Sequence, residues 1–117
     1  MSERLTTMAG SNLFTGTLDL LILHTLLQGP MHGYAIGRHL SHRTSGALDP
    51  EEGVLYPALY RLHRKGLIKG TWGETETGRR ARFYSLNRKG RTALKKETAR
   101  WEEHIQTVQA VLNPEEA

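Results

Sequence analysis

Cysteine is absent from the 117 residues, which excludes a disulfide framework and any thiolate metal site. That absence also fits a reducing compartment. Proline is scarce, with four in the chain, and three of them (Pro30, Pro50 and Pro114) fall where the pattern starts or stops a helix. No apolar run is long enough to cross a bilayer: the longest, Leu18 to Leu27, is broken by Asp19, His24 and Thr25. The first residues carry Glu3 and Arg4 rather than the ordered regions of a signal peptide, so a cytoplasmic location is expected, with no membrane partner. Neither a Gly-x-Gly-x-x-Gly phosphate loop nor a Gly-x-Ser-x-Gly nucleophile elbow occurs. Of six histidines, His39 and His42 stand at i, i+3 with His63 available. No carboxylate joins them at ligand spacing, and zinc usually takes four ligands. The expectation is therefore no enzyme, no metal and no cofactor.

What the chain does have is an uneven charge. The formal net charge of +4 divides into −2 over residues 1–60, +10 over 61–100 and −4 over the last seventeen. A basic middle block is the footprint of a polyanion-binding surface, though solvated faces are often basic too. The length allows one domain with an appended element and a modest core.

Residues 1–16 are polar and read as a flexible N-terminal arm. Thr17 is placed to cap a first helix that is apolar on more than one face, with Asp19 in its first turn. Gln28-Gly29-Pro30 stops it. A second helix over Gly33 to Arg43 points Ile36 and Leu40 inward, and Ser45-Gly46 closes it. Asp49-Pro50-Glu51-Glu52 reads as the start of a third, with Asp49 as cap and Glu52 as the capping-box acid. Leu55, Leu59 and Leu62 make its core stripe and Gly66 ends it. Pro57 removes a backbone bond inside this helix, so a bend or late start is expected. Leu67 to Trp72 and Arg79 to Leu86 then form a β-hairpin with a basic tip. Asn87 caps a long last helix that reaches Leu112, before Asn113-Pro114.

The expected fold is mainly α with a small β-hairpin wing: a winged helix-turn-helix over residues 17–86, followed by a C-terminal dimerisation helix and tail over 87–117. On the third helix the core stripe leaves Gly53, Tyr56, Pro57, Tyr60 and Arg64 outward, with Arg61 beside them. Such a face suits the major groove of double-stranded DNA. Lys65 and Tyr34 join this candidate set. Arg79, Arg80 and Arg82 on the wing would follow the backbone or the minor groove. Trp72 reads as a packing residue. A winged-helix module that binds protein without an operator is the rival, and the +10 block speaks against it.

The chain resembles the PadR family of transcriptional regulators. The resemblance runs from about residue 14 to residue 112. It is carried by Gly16-Thr17-Leu18-Asp19-Leu20-Leu21-Ile22-Leu23, His32-Gly33-Tyr34 and Gly53-Val54-Leu55-Tyr56-Pro57-Ala58-Leu59. Arg61-Leu62, Gly66-Leu67-Ile68, Gly78-Arg79-Arg80 and Tyr84-Ser85-Leu86 extend it. It implies a winged-helix regulator, usually a repressor, dimerised through a single C-terminal helix, and it places Pro57 within the family pattern. Asn87 departs from the threonine common at that place but still caps.

Leu94, Trp101, Ile105, Val108 and Leu112 recur at steps of seven, four, three and four. That seam is coiled-coil-like and lacks an evident partner in the chain, so a homodimer interface is expected. Trp101 has two readings. It is an interface anchor, or, by resemblance to a ligand-sensing member of that family, a platform for a small aromatic effector.

Overall fold

The computed structural model describes residues 16–113 and residue 115. The expected arm therefore lies outside the described residues, apart from Gly16. Helix α1 occupies residues 16–25 and tightens into a 3-10 turn, Leu26–Gln28. It is already helical at residue 16, so Thr17 sits inside it rather than at its cap. Leu18, Ile22, Leu23 and Leu26 are buried along it, and buried Thr25 donates its hydroxyl to the Leu21 carbonyl at 2.7 Å. That bond removes the penalty of an unpaired polar group in the core.

Strand β1 (Met31–His32) leads directly into α2 (Gly33–Arg43). The His32 ring is the cap, its Nδ1 accepting the Ala35 amide at 3.3 Å. Helix α3 spans Glu52–Arg64, two to three residues later than the Asp49-Pro50 signal suggests. Glu51 occupies the cap position without a side-chain hydrogen bond, so the expected capping box does not form. The late start suits Pro57, because fewer backbone bonds precede it. Gly66 has φ +75° just past the helix, where a side chain would be strained.

The wing is β2 (Ile68–Glu74) and β3 (Arg80–Leu86), paired antiparallel through all seven residues from Ile68↔Leu86 to Glu74↔Arg80. The loop between them closes with Thr75 N–H on the Arg79 carbonyl at 2.8 Å, and Gly78 at φ +82° makes the turn. β1 adds to the other edge of β3 through Met31↔Tyr84 and His32↔Phe83, which gives the order β1-β3-β2. The expected hairpin is thus two strands of a three-stranded sheet. A two-residue strand carries no periodicity of its own, which is why the sequence does not announce it.

Helix α4 (Arg88–Leu112) is capped by the Asn87 side chain, which accepts the Gly90 amide at 2.8 Å and donates to the Gly66 carbonyl at 2.8 Å. One cap residue therefore ties α4 to the turn that ends α3. The core gathers Ile36 and Leu40 of α2, Leu55, Ala58, Leu59 and Leu62 of α3, Ile68 and Leu86 of the sheet, and Leu94 of α4 around α1. Leu94 corrects the expected seam: it is 6% exposed within its own domain and not available to a second chain. The heptad-like step from Leu94 to Trp101 runs from core to surface.

Candidate nucleic-acid interface

With Leu55, Ala58, Leu59 and Leu62 buried, 3.6 residues per turn set Gly53, Pro57, Tyr60 and Arg64 along the opposite ridge of α3. All four are exposed, and Tyr60 shows 64% of its surface. The Arg64 guanidinium lies 5.8 Å from the centre of the Tyr60 ring one turn away, and Lys65 is exposed next to it. The ridge thus presents two prolate side chains, one aromatic and one cationic, over a smooth start at Gly53.

Two expected members sit on the flanks instead. Arg61 turns toward α1 and donates from Nη2 to Asp19 Oδ1 at 3.0 Å, with its Nε buried and without a partner. This places it as a brace between α1 and α3 rather than on the outward ridge. One turn of the wheel cannot distinguish those flanks without knowing where α1 lies. Tyr56 turns the other way, against the start of α2. A Cβ on Gly33 would meet its Cε1 at 2.7 Å, so only glycine admits the ring so close. Burial first, then the charge of Glu52 and then Tyr84, push the Tyr56 phenol above its ordinary pKa. It therefore stays protonated at physiological pH and keeps an O–H to donate.

Between α2, the start of α3 and the wing lies an open groove of about 1150 Å³. Tyr34, Arg38, His39 and His42 line one wall, Tyr56 and Glu52 the floor, and Trp72, Arg79, Arg80, Arg82 and Tyr84 the wing side. Four arginines against Glu52 and Glu76 make this hollow cationic. Tyr34 is 67% exposed and stacks near His32, with ring centres 6.5 Å apart. Trp72 corrects the expectation of a packing residue. It is 57% exposed on the groove face, and the Arg80 guanidinium lies 4.6 Å from its ring centre. The arrangement can receive a polyanionic strand in the groove while the α3 ridge stands free beside it.

The pattern of the "Transcriptional regulator PadR-like family" matches residues 22–96. The chain belongs to the PadR-like family. It is accordingly a DNA-binding transcriptional regulator with a winged helix, and not an enzyme. Solved PadR-like and related regulators share its shape. It is similar to a transcriptional regulator from Clostridium thermocellum at 30% identity and TM-score 0.77, covering 85% of this chain and 93% of that one. It is also similar to a PadR-like transcription factor from Bacteroides fragilis at 30% identity and TM-score 0.73, covering 88% and 97%. An uncharacterised protein of Lysinibacillus sphaericus is 29% identical over 96 residues, 82% of this chain and 88% of that protein.

In this PadR-like chain, α4 runs alongside α1 as far as Trp101 and His104 before it leaves the winged domain. Trp101 and Ile105 are half-buried, and every residue from 106 to 113 is exposed, including Val108, Val111 and Leu112. Trp101 leans on His104 with ring centres 5.6 Å apart. Beside it, Gly16, Thr17 and Leu20 of α1 with Glu97 and Arg100 of α4 line a hollow of about 230 Å³. No helix among the described residues is long and apolar enough to cross a membrane.

Proposed function

We propose that this PadR-like regulator binds a palindromic operator as a homodimer and represses the promoter it covers, acting in the cytoplasm. The observation that carries the reading is the free α3 ridge of Gly53, Pro57, Tyr60 and Arg64 beside an arginine-walled groove. The ridge enters the major groove, where Arg64 reads guanine edges or phosphate, and Tyr60 and Tyr56 give hydroxyls to the backbone. Lys65, Tyr34 and the wing arginines Arg79, Arg80 and Arg82 hold the flanking phosphates. The dimer is supported by the last two turns of α4, which carry Val108, Val111 and Leu112 in water. An isolated helical arm is marginal in water unless something covers its apolar side, and a two-fold copy is the commonest cover. Repression follows from bulk, since a dimer lying across a promoter excludes polymerase.

Selection from a random duplex pool tests this directly. The expected winner is an inverted repeat with half-site centres about 34–36 Å apart, one turn of DNA. A single unrepeated motif, or no enrichment, overturns the dimeric operator reading. Val108→Asp with Leu112→Asp is expected to halve the mass seen by light scattering at micromolar concentration. A parent protein that already runs as a monomer would sink the dimer.

The hollow beside Trp101 supports release by a small planar aromatic effector, held against the indole at the junction of α1 and α4. Planar aromatic dyes should quench tryptophan emission in the parent and not in Trp101→Ala. Equal quenching in both proteins removes Trp101 from the effector site.

A further inference from the structure

We propose that Trp72 is a DNA-binding residue of the wing, holding Arg80 and Arg82 in place for the phosphate backbone and pressing its own free edge on the sugars. The inference rests on the operator reading above and adds a residue to it.

A tryptophan kept for packing would touch the core. Trp72 is not among the residues packed on it, and more than half of the side chain is in water. Its strand register explains what it touches instead. Trp72 faces Arg82 across the ladder, and Glu74 faces Arg80, so all four side chains share one face with Tyr84. Arg80 lies over the ring at 4.6 Å and Arg82 at 5.9 Å. Gly70, on the same face, keeps a lane open for Arg82: a Cβ there would run into the Arg82 Nε. Two arginines are therefore arranged around one indole on the wall of the groove, with Gly70 leaving room for Arg82.

The geometry suits phosphate binding. A guanidinium that stacks flat on a ring uses its face there and keeps its in-plane N–H fork free for an anion. Among the described residues, neither Arg80 nor Arg82 spends that fork on a salt bridge. Held this way, the two side chains lose less rotamer freedom when they meet phosphate oxygens, so more of the contact appears as affinity. The exposed part of the indole is largely apolar carbon and suits deoxyribose, the other component of the strand that the groove would receive.

The test uses the full chain and a mixed-sequence duplex of about 30 base pairs, long enough for two half-sites one turn apart. Trp72→Ala is expected to bind about tenfold more weakly at low salt, with a salt slope shallower by about one unit or more as phosphate contacts are lost. Trp72→Phe, which keeps a ring, should restore most of the affinity. Indole emission should change on saturation with DNA in the parent and not in Trp72→Phe, while thermal midpoints stay together because the ring is exposed. Parent-like affinity and slope in Trp72→Ala, or no change in indole emission at saturation, overturn this inference and leave the operator reading standing. A parent that binds no duplex overturns both.

Discussion

Raising salt from about 50 to 200 mM should weaken DNA binding by this regulator about a thousandfold or more, the result expected for six to ten phosphate contacts. The count comes from the surface. The chain offers Arg38, Arg79, Arg80 and Arg82 around the groove and Arg64 and Lys65 at the end of α3. The proposed dimer doubles that set, so half of it suffices. Arg79→Ala with Arg80→Ala removes up to four contacts from a dimer, and the log–log slope should become shallower by about three to four units. Affinity for every sequence should fall together, because phosphates carry no sequence. Arg64→Ala should act differently, costing about 1–3 kcal/mol at the base pair it reads while weakening other sequences less. Gel shifts across a salt series measure all three. A flat response would favour the rival in which the same surface docks a protein.

Gly90→Ala should destabilise the fold, although exposed helical glycines usually gain from alanine. Helix propensity favours the substitution by about 1 kcal/mol. Against it stands packing. A Cβ on Gly90 would collide with the Leu67 carbonyl oxygen and come within 2.8 Å of Leu86 Cδ1. That carbonyl cannot swing away freely, since it accepts the Asn87 amide at 3.3 Å while Leu67 N–H is held by Leu62. Overpacking of this kind costs about 1–3 kcal/mol, and a rigid backbone obstacle sets it at the upper end. The net loss of about 1–2 kcal/mol corresponds to a drop in thermal midpoint of several degrees for a domain of this size. Gly90→Val, larger and β-branched, should lose far more of a stability that totals about 5–15 kcal/mol. Gly53→Ala is the contrast: nothing lies within 4 Å of its Cβ position, so its midpoint should rise. If Gly90→Ala also raises the midpoint, the close approach of α4 to the α3–β2 turn is not a constraint.

The same junction shows where sequence reading works. Asn87 as a cap, Gly66 as a helix end, and the Leu55/Leu59/Leu62 stripe are local signals, each set by residues within one or two turns. They were enough for the order of helices and hairpin, for the outward ridge at Tyr60 and Arg64, and for the basic character of the wing. Signals that mix local and distant terms failed by small amounts. Asp49-Pro50 looks like a helix start, yet α3 begins at Glu52, and the helix that Thr17 was expected to cap is already running at residue 16.

Periodicity, caps and charge are thus local properties of the chain, and they specify the winged-helix plan and the side of α3 that faces out. Tertiary structure decided which neighbour each side chain meets. Periodicity shows that a face is apolar but not whose surface covers it, so Leu94 looked like the start of an intermolecular seam and proved to be core. Charge shows that Arg61 seeks an anion, and the packing of α1 sets Asp19 beside it as one. An aromatic residue in a strand reads as packing, and only the pairing of β2 with β3 set Trp72 between two arginines on an open groove. In each case the deciding partner lies eight or more residues away in the chain, beyond the reach of local spacing.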